Sequence, residues 1–174
     1  PILSKSLDTR STINPVVKLK IRLEKPLDYY PIQGEVFILL YADRAPISVK
    51  NFLDYVKNGF YDGLIFHRLV SNYILQGGGY NRDLVKLPTL PPIKNEAFKK
   101  LSNQQWTVAV SRTNKINSGT SQFFINLVDN SSLLDHKGTS QQNYGFSVFG
   151  KVIDGFELLE TLVEAPVIQK GILL

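Results

Sequence analysis

Residues 66–79 read FHRLVSNYILQGGG, a strand-like stretch that ends in three glycines. Its apolar residues are typical of a strand, but Arg68 and Gln76 place a cation and an amide among them. An arginine beside apolar side chains costs free energy unless its donors find partners. The three successive glycines at 77–79 allow the backbone to turn sharply or to approach another strand closely. The stretch therefore predicts one wall of a cleft.

Length and composition predict one globular domain. The chain has 174 residues, of which 43% are hydrophobic, and domains of about 100 to 200 residues are the norm. We expect the domain to span residues 15–174 and residues 1–14 to form a loose arm. No apolar run approaches the ~18 residues of a membrane span, so no membrane partner is predicted. The sequence contains no Cys, which suits an oxidising compartment and favours a periplasmic or otherwise exported protein over a cytoplasmic one.

The net charge of +5 raises the question of nucleic acid binding, which needs a clustered basic face. The charges are spread along the chain instead. Lys18, Lys20 and Arg22 alternate with apolar residues over 17–23, which is the period of a strand with one buried and one solvated face. We therefore predict no nucleic acid partner.

Short strands and two helices account for most of the chain. One helix is predicted over 43–59, with Pro46 in its first turn and Gly59 as its stop, and a second over 155–163, ended before Pro166. A proline-bounded loop over 24–33 separates the first two strands. The strand-like runs cover residues 17–23, 35–40, 64–69, 73–76, 107–111, 122–127 and 146–152, with a last strand ending at Leu174. This pattern fits a barrel or a sandwich, and by itself leaves both open.

Metal and hydrolase chemistries are poorly supported by the sequence. A zinc enzyme needs about three ligands, yet the chain has no Cys and only His67 and His136. Ser111 and Ser121 lack the Gly-x-Ser-x-Gly context of a hydrolase nucleophile, and Arg82 occupies the last glycine position of a dinucleotide fingerprint. No metal and no cofactor are therefore predicted.

Three segments in order resemble the signature segments of the cyclophilins. They are residues 66–68 (FHR), 76–79 (QGGG) and 121–125 (SQFFI), and the likeness runs from about Val16 to Leu174. The triple glycine and residues 92–97 (PIKNEA) are most similar to bacterial cyclophilins. The resemblance implies an all-β (mainly β) fold, a closed eight-stranded antiparallel barrel capped by two α-helices. It also implies a peptidyl-prolyl cis-trans isomerase, or rotamase, that assists protein folding.

The resemblance assigns roles to residues one by one. Arg68 matches the catalytic arginine and Gln76 the amide that holds the substrate backbone. Phe66 and His67 belong to the same substrate-binding segment, although for His67 itself a structural role is favoured over catalysis. The other substrate-binding residues are Tyr73, Ile74, Phe124, Leu133 and Leu134 of the proline pocket and its rim, Ala109, Val110, Ser111 and Gln122 of the peptide groove, and Phe146.

Several of these positions depart from the eukaryotic pattern. Tyr73 stands where Phe is usual, Ile74 where Met is usual, Leu133 where Trp is common and Phe146 where His is common. The pocket stays apolar, so activity should survive. The rim, however, loses an indole N–H and an imidazole donor. Since the indole helps many eukaryotic cyclophilins to bind cyclosporin, weak cyclosporin binding is predicted here.

The expected partners are proline-containing peptides and unfolded or folding proteins, with the chain acting as a monomer. The alternative is a non-enzymatic module or chaperone that holds proline peptides without turning them over. The presence of Arg68 favours the enzyme over the binding module.

Overall fold

A computed structural model describes residues 14–23, 32–164 and 172–173. The sequence predictions for most of the arm, for the 24–33 loop up to residue 31 and for the link around Pro166 lie outside these residues. Strands and helices are numbered along the chain: β1 Val16–Leu23, β2 Ile32–Leu40, α1 Pro46–Lys57, β3 Leu64–Val70, β4 Ile74–Asn81, β5 Thr107–Val110, β6 Phe123–Asn126, α2 Ser131–Leu134, β7 Val148–Asp154, α3 Phe156–Glu164 and β8 Ile172–Leu173.

The strands form a closed antiparallel barrel in the order β1-β2-β7-β5-β6-β4-β3-β8. The two-residue strand β8 completes the ring, because Leu173 pairs with Arg22 of β1 and with Ile65 of β3. Closure removes the unpaired edges that an open sheet would present. The predicted eight-stranded barrel is confirmed.

Alternation along the strands fills the barrel. Val17, Leu19 and Ile21 of β1 are buried, while the basic residues between them are exposed, as the period of two predicts. The centre of the interior is aromatic: the Phe52 ring on α1 lies 5.4 Å from Phe123 and 5.1 Å from Phe149. The helix α3 adds the fully buried Leu159 to the same cluster. Both predicted helices therefore pack against the barrel, as expected.

The structure corrects several predicted boundaries. Helix α1 begins at Pro46, not at residue 43, because Ala45 N–H donates to Tyr41 O in a turn before the helix. It ends at Lys57, and Gly59 with φ of 64° turns the chain away. The strand predicted over 35–40 starts at Ile32, the strand predicted over 73–76 continues to Asn81, and the strand predicted over 146–152 spans Val148–Asp154. The one-turn helix α2 was missed because four residues carry no readable period.

Candidate functional site

The site is built on a row of directly paired residues that crosses four neighbouring strands. Arg68 of β3 pairs with Gln76 of β4, Gln76 with Phe124 of β6, and Phe124 with Ala109 of β5. Residues opposite each other in antiparallel strands point to the same face. This face is the outside of the barrel, since the neighbours of Phe124 along β6 belong to the interior cluster. The register thus brings together residues more than 40 positions apart in sequence, such as Arg68 and Ala109.

Gln76 organises the polar end of this row. Its Oε1 accepts a hydrogen bond from Arg68 Nη1 at 3.3 Å. Its Nε2 donates to Ser111 Oγ at 3.0 Å and to Gln122 Oε1 at 2.9 Å. These bonds fix the orientation of the Gln76 amide and hold the guanidinium beside it. The side chain of Arg68 is exposed and has further N–H donors available to a ligand.

An apolar cluster adjoins the polar end. Ile74, Ala109, Phe124 and Leu134 are each at most 6% exposed and pack together, separately from the barrel interior. The cluster also contains Val148 and is bordered by the partly buried residues Tyr41, Tyr73, Leu101 and Phe146. Its aromatic floor is well defined: the rings of Phe124 and Phe146 meet edge to face, with centroids 5.5 Å apart and an interplanar angle of 79°. We call this group the surface cluster.

The helix α2 forms one side of the surface cluster. Leu134 N–H and Leu133 N–H both donate to Asn130 O, which begins the turn. The buried Asn130 side chain also donates from Nδ2 to Tyr73 O at 2.9 Å, so one amide joins two sides of the cluster. Leu134 is 6% exposed, whereas Leu133 is 68% exposed and free to contact a ligand.

Two predicted binding residues lie on the opposite face of their strands. Phe66 is 1% exposed and Val110 is 8% exposed, and both belong to the interior cluster. Strand alternation explains Val110: since Ala109 faces the surface cluster, its neighbour must face inward. The structure therefore corrects the sequence interpretation, because neither side chain lines the site.

His67 is half buried beside the row. Its ring packs on Tyr80 with the centroids 4.5 Å apart. Burial lowers the pKa of His67 below its usual value, and the neighbouring charge of Arg68 lowers it further. A neutral imidazole packed on a tyrosine fits a structural role.

Arg112 borders the surface cluster and was missed by the sequence reasoning. Its guanidinium lies 4.7 Å from the centre of the Phe146 ring, within cation–π range. Its partial burial lowers the pKa of the guanidinium. The signal that could have found it is its position directly after the groove residue Ser111.

Among the described residues, no three His, Asp or Glu side chains lie close enough together to hold a metal ion. Within the same residues, no helix has the length and apolar character needed to cross a membrane.

Comparison with known sequences gives a consistent result. Residues 27–172 match the family model described as cyclophilin type peptidyl-prolyl cis-trans isomerase/CLD. The chain is 46% identical over 138 residues to peptidyl-prolyl cis-trans isomerase A of Dickeya dadantii, covering 79% of this chain and 70% of that protein. It is 40% identical over 165 residues to a peptidyl-prolyl cis-trans isomerase of Acinetobacter baylyi, covering 95% and 80% of the two chains.

Comparison with solved structures agrees. A cyclophilin type peptidyl-prolyl cis-trans isomerase of Cryptosporidium parvum, crystallised in the presence of the dipeptide Ala-Pro, is similar with a TM-score of 0.61 and 25% sequence identity. The match covers 90% of this chain and 98% of that structure.

Proposed function

The chain belongs to the cyclophilin family of peptidyl-prolyl cis-trans isomerases, and we propose that Arg68 and Gln76 carry its acceleration of rotation about X-Pro bonds. The observation that supports this assignment is the paired row, in which Gln76 Oε1 holds Arg68 Nη1 at 3.3 Å beside an apolar cluster. A donor next to an apolar pocket is what a proline nitrogen and its ring require.

The chemical task is to interrupt amide conjugation. The peptide C–N bond resists rotation by about 18 to 20 kcal/mol because the nitrogen lone pair is delocalised into the carbonyl. In the rotated transition state that nitrogen becomes pyramidal and basic. A fixed guanidinium donor then bonds to the nitrogen more strongly than in the planar ground state, and this is differential binding of the transition state.

The magnitudes require more than Arg68. A charge-assisted hydrogen bond contributes about 1.5 to 3 kcal/mol, whereas a 10⁵-fold acceleration needs about 7 kcal/mol. We assign the remainder to the twisted geometry that the groove enforces and to desolvation in the surface cluster. The twisted amide is less polar than the planar one and tolerates an apolar setting better.

The other residues of the site then have distinct roles. Phe124 forms the floor of the proline pocket, with Ile74, Tyr73 and Leu134 as its sides. Gln76, held by Ser111 and Gln122, keeps the substrate backbone in register with Arg68. Leu133 and Phe146 form the rim, and Ala109 leaves room for the peptide because its side chain is small. The substrates would be proline-containing segments of peptides and of folding proteins.

Replacing Arg68 tests the proposal. We expect Arg68→Ala to lower kcat/KM on a short Ala-Pro peptide by roughly 10-fold to 150-fold, which corresponds to the loss of one charge-assisted bond. The fold should stay intact, because an exposed arginine supplies little core volume. NMR exchange spectroscopy on the cis and trans peptide signals gives the rate, and circular dichroism reports the fold.

The control is Arg22→Ala, which removes the same charge from an exposed position on β1. Its kcat/KM should match that of the wild type. Equal activity of Arg68→Ala and Arg22→Ala would contradict the assigned role of Arg68. Peptide binding by the wild type without acceleration of exchange would instead support a non-enzymatic binding module.

A further inference from the structure

A second pocket lies beside the surface cluster and shares its Phe146 wall. It is an open surface pocket of about 350 Å³, and its lining residues are Arg112, Thr113, Asn114, Gln141, Gln142 and Phe146. One part of the Phe146 ring contacts Phe124 in the proposed proline pocket, and the Arg112 guanidinium lies over the ring. A peptide bound in the proline pocket would therefore have the second pocket within reach of a neighbouring side chain.

Arg112 is held rigidly at this pocket by backbone carbonyls. Its Nε donates to Gly145 O at 3.0 Å, Nη1 to Thr113 O at 3.0 Å and Nη2 to Gln141 O at 2.9 Å. These bonds tie the loop after β5 to the loop before β7. Each terminal nitrogen of a guanidinium carries two hydrogens, so one donor on each remains for a ligand.

The charge of Arg112 lacks a counterion among the described residues. In this part of the chain Arg112 forms no ion pair, and its partners are neutral carbonyls and the Phe146 ring. Partial burial lowers the pKa of this group, which means that its charge is incompletely solvated. The remaining lining residues are neutral amides, a hydroxyl and an aromatic ring, with no carboxylate among them. A partly desolvated cation in a neutral pocket favours an anionic ligand.

We propose that this pocket is a specificity subsite that takes an acidic side chain located near the X-Pro pair of the substrate. The carboxylate would accept from the free Arg112 donors, with the Asn114 and Gln141 amides close by. A carboxylate forms a charge-assisted hydrogen bond with a guanidinium N–H, which is stronger than a bond between neutral groups. The proposal rests on the function proposed above, since the substrate must sit in the proline pocket for its neighbour to reach Arg112.

The test compares peptides that differ only in charge. Pairs of short Ala-Pro peptides carry Glu or its neutral isostere Gln at each of the positions flanking Ala-Pro, and NMR exchange gives kcat/KM for each. At one position we expect the Glu peptide to be turned over about 3-fold to 10-fold more efficiently by the wild type, a preference limited by solvent screening. The preference should weaken in high salt.

Arg112→Gln should reduce the Glu to Gln ratio to about 1. The matched control is Lys115→Gln, which removes the same charge from the same loop but from a side chain that does not line the pocket. Lys115→Gln should keep the preference for the Glu peptide. An equal loss of this preference in both variants would mean that it arises from the overall charge of the protein, and this would overturn the proposal.

The comparison of Glu and Gln peptides with the wild type alone is enough to test the subsite, even if Arg112→Gln fails to fold. Turnover of the Gln peptides with no preference for Glu at any position contradicts the subsite while leaving the isomerase function in place. No turnover of the Gln peptides contradicts the isomerase function itself.

Discussion

Arg68 and Arg112 border the same surface cluster with their guanidinium groups held in different ways. Arg68 makes one 3.3 Å bond to Gln76 and is exposed, whereas Arg112 makes three bonds to carbonyl oxygens and covers an aromatic ring. Arg68 is therefore suited to bond a group that changes during reaction. Arg112 is suited to present a fixed charge.

Arg68 could be identified as a candidate site residue from the sequence, whereas Arg112 could not, and the reason is physical. Arg68 stands among apolar residues within a strand-like run, where a charge is conspicuous. Arg112 stands in a polar loop, where an arginine is ordinary, and only the fold brings it over Phe146. Phe66 and Val110 were wrongly predicted to line the site. Their position in a signature segment does not determine which face of the strand each side chain occupies.

The lowered pKa of His67 gives a pH prediction. Burial and the Arg68 charge disfavour the protonated imidazole in the folded state, so the unfolded chain binds more protons once the pH falls below about 6.5. The contribution of His67 to the free energy of unfolding is present above that pH and is lost as the pH falls towards the lowered folded pKa. Urea denaturation from pH 8 to 5 measures it, and His67→Gln should show a shallower slope.

Activity should not follow the same curve. The proposed mechanism transfers no proton, so kcat/KM should be nearly flat from about pH 6 to 9. A clear limb below pH 6.5 that disappears in His67→Gln would show that the imidazole takes part in catalysis.

Leu133 gives a prediction about cyclosporin. By resemblance it occupies the place of a rim tryptophan, and its 68% exposure leaves it free to contact a ligand. Leucine lacks the indole donor, and one lost hydrogen bond corresponds to about 1 to 3 kcal/mol. We expect Leu133→Trp to raise cyclosporin affinity roughly 5-fold to 150-fold in a fluorescence titration, while changing turnover of short peptides much less. Tight binding by the wild type, equal to that of the variant, would mean that the rim does not control this ligand.

At the scale of elements, β4 explains why three glycines occur together. A Cβ on Gly77 would lie 2.7 Å from Phe66 Cδ1. Gly78 has a φ of 80°, and a Cβ there would lie 2.9 Å from Ser121 O, while a Cβ on Gly79 would meet the Gln122 side chain at 2.5 Å. The predicted close approach to another strand is thus supported at Gly77, which contacts β3, whereas Gly78 and Gly79 make room for Ser121 and Gln122 just before β6. The predicted end of the strand at Gln76 was wrong, because the three glycines continue β4 to Asn81.

Gly79 offers a way to test how Gln122 supports the site. Gly79→Ala needs no unusual φ, but its Cβ must displace the flexible Gln122 side chain and so break the 2.9 Å bond to Gln76 Nε2. We expect kcat/KM to fall about 3-fold to 10-fold, equivalent to one hydrogen bond. The free energy of unfolding should change by less than about 1 kcal/mol, since a side chain can move aside.

A double-mutant cycle provides the control for this prediction. In a Gln122→Ala background the space beside Gly79 is open, so adding Gly79→Ala should cost no further activity. Additive losses would show that Gly79 acts on the site by a route other than Gln122.

For the whole molecule, the sequence pattern located most strands but not their arrangement. The order β1-β2-β7-β5-β6-β4-β3-β8 joins strands far apart in sequence, and local periodicity carries no information on such pairings. The resemblance supplied the barrel where the pattern left a sandwich open. The surface cluster lies outside the barrel, beneath α2. Its position depends on which strands pair, so the alternation of side chains along each strand could not predict it.

Closure of the barrel depends on β8, whose two residues pair with both β1 and β3. Removing residues 171–174 would leave the edges of β1 and β3 unpaired. Three paired positions are lost. At about one hydrogen bond each, and about 0.5 to 1.5 kcal/mol per bond, the free energy of unfolding should fall by roughly 1.5 to 4.5 kcal/mol in urea denaturation. Exposed edges also promote pairing between chains, so the truncated protein should self-associate at high concentration in sedimentation experiments.

The paired row should survive this truncation at low temperature and low concentration, because it lies on β3, β4, β6 and β5. Arg68 is also three residues beyond the last β8 partner, Ile65. We expect kcat/KM within about 3-fold of the wild type. The control deletes residues 1–13 and keeps Asn14, whose Oδ1 accepts from Asp43 N–H at 3.3 Å. This deletion should leave stability and association unchanged, as predicted for a loose arm. A stable, monomeric chain after loss of 171–174 would show instead that the barrel does not need closure, and that the remaining strands and helices hold the site by themselves.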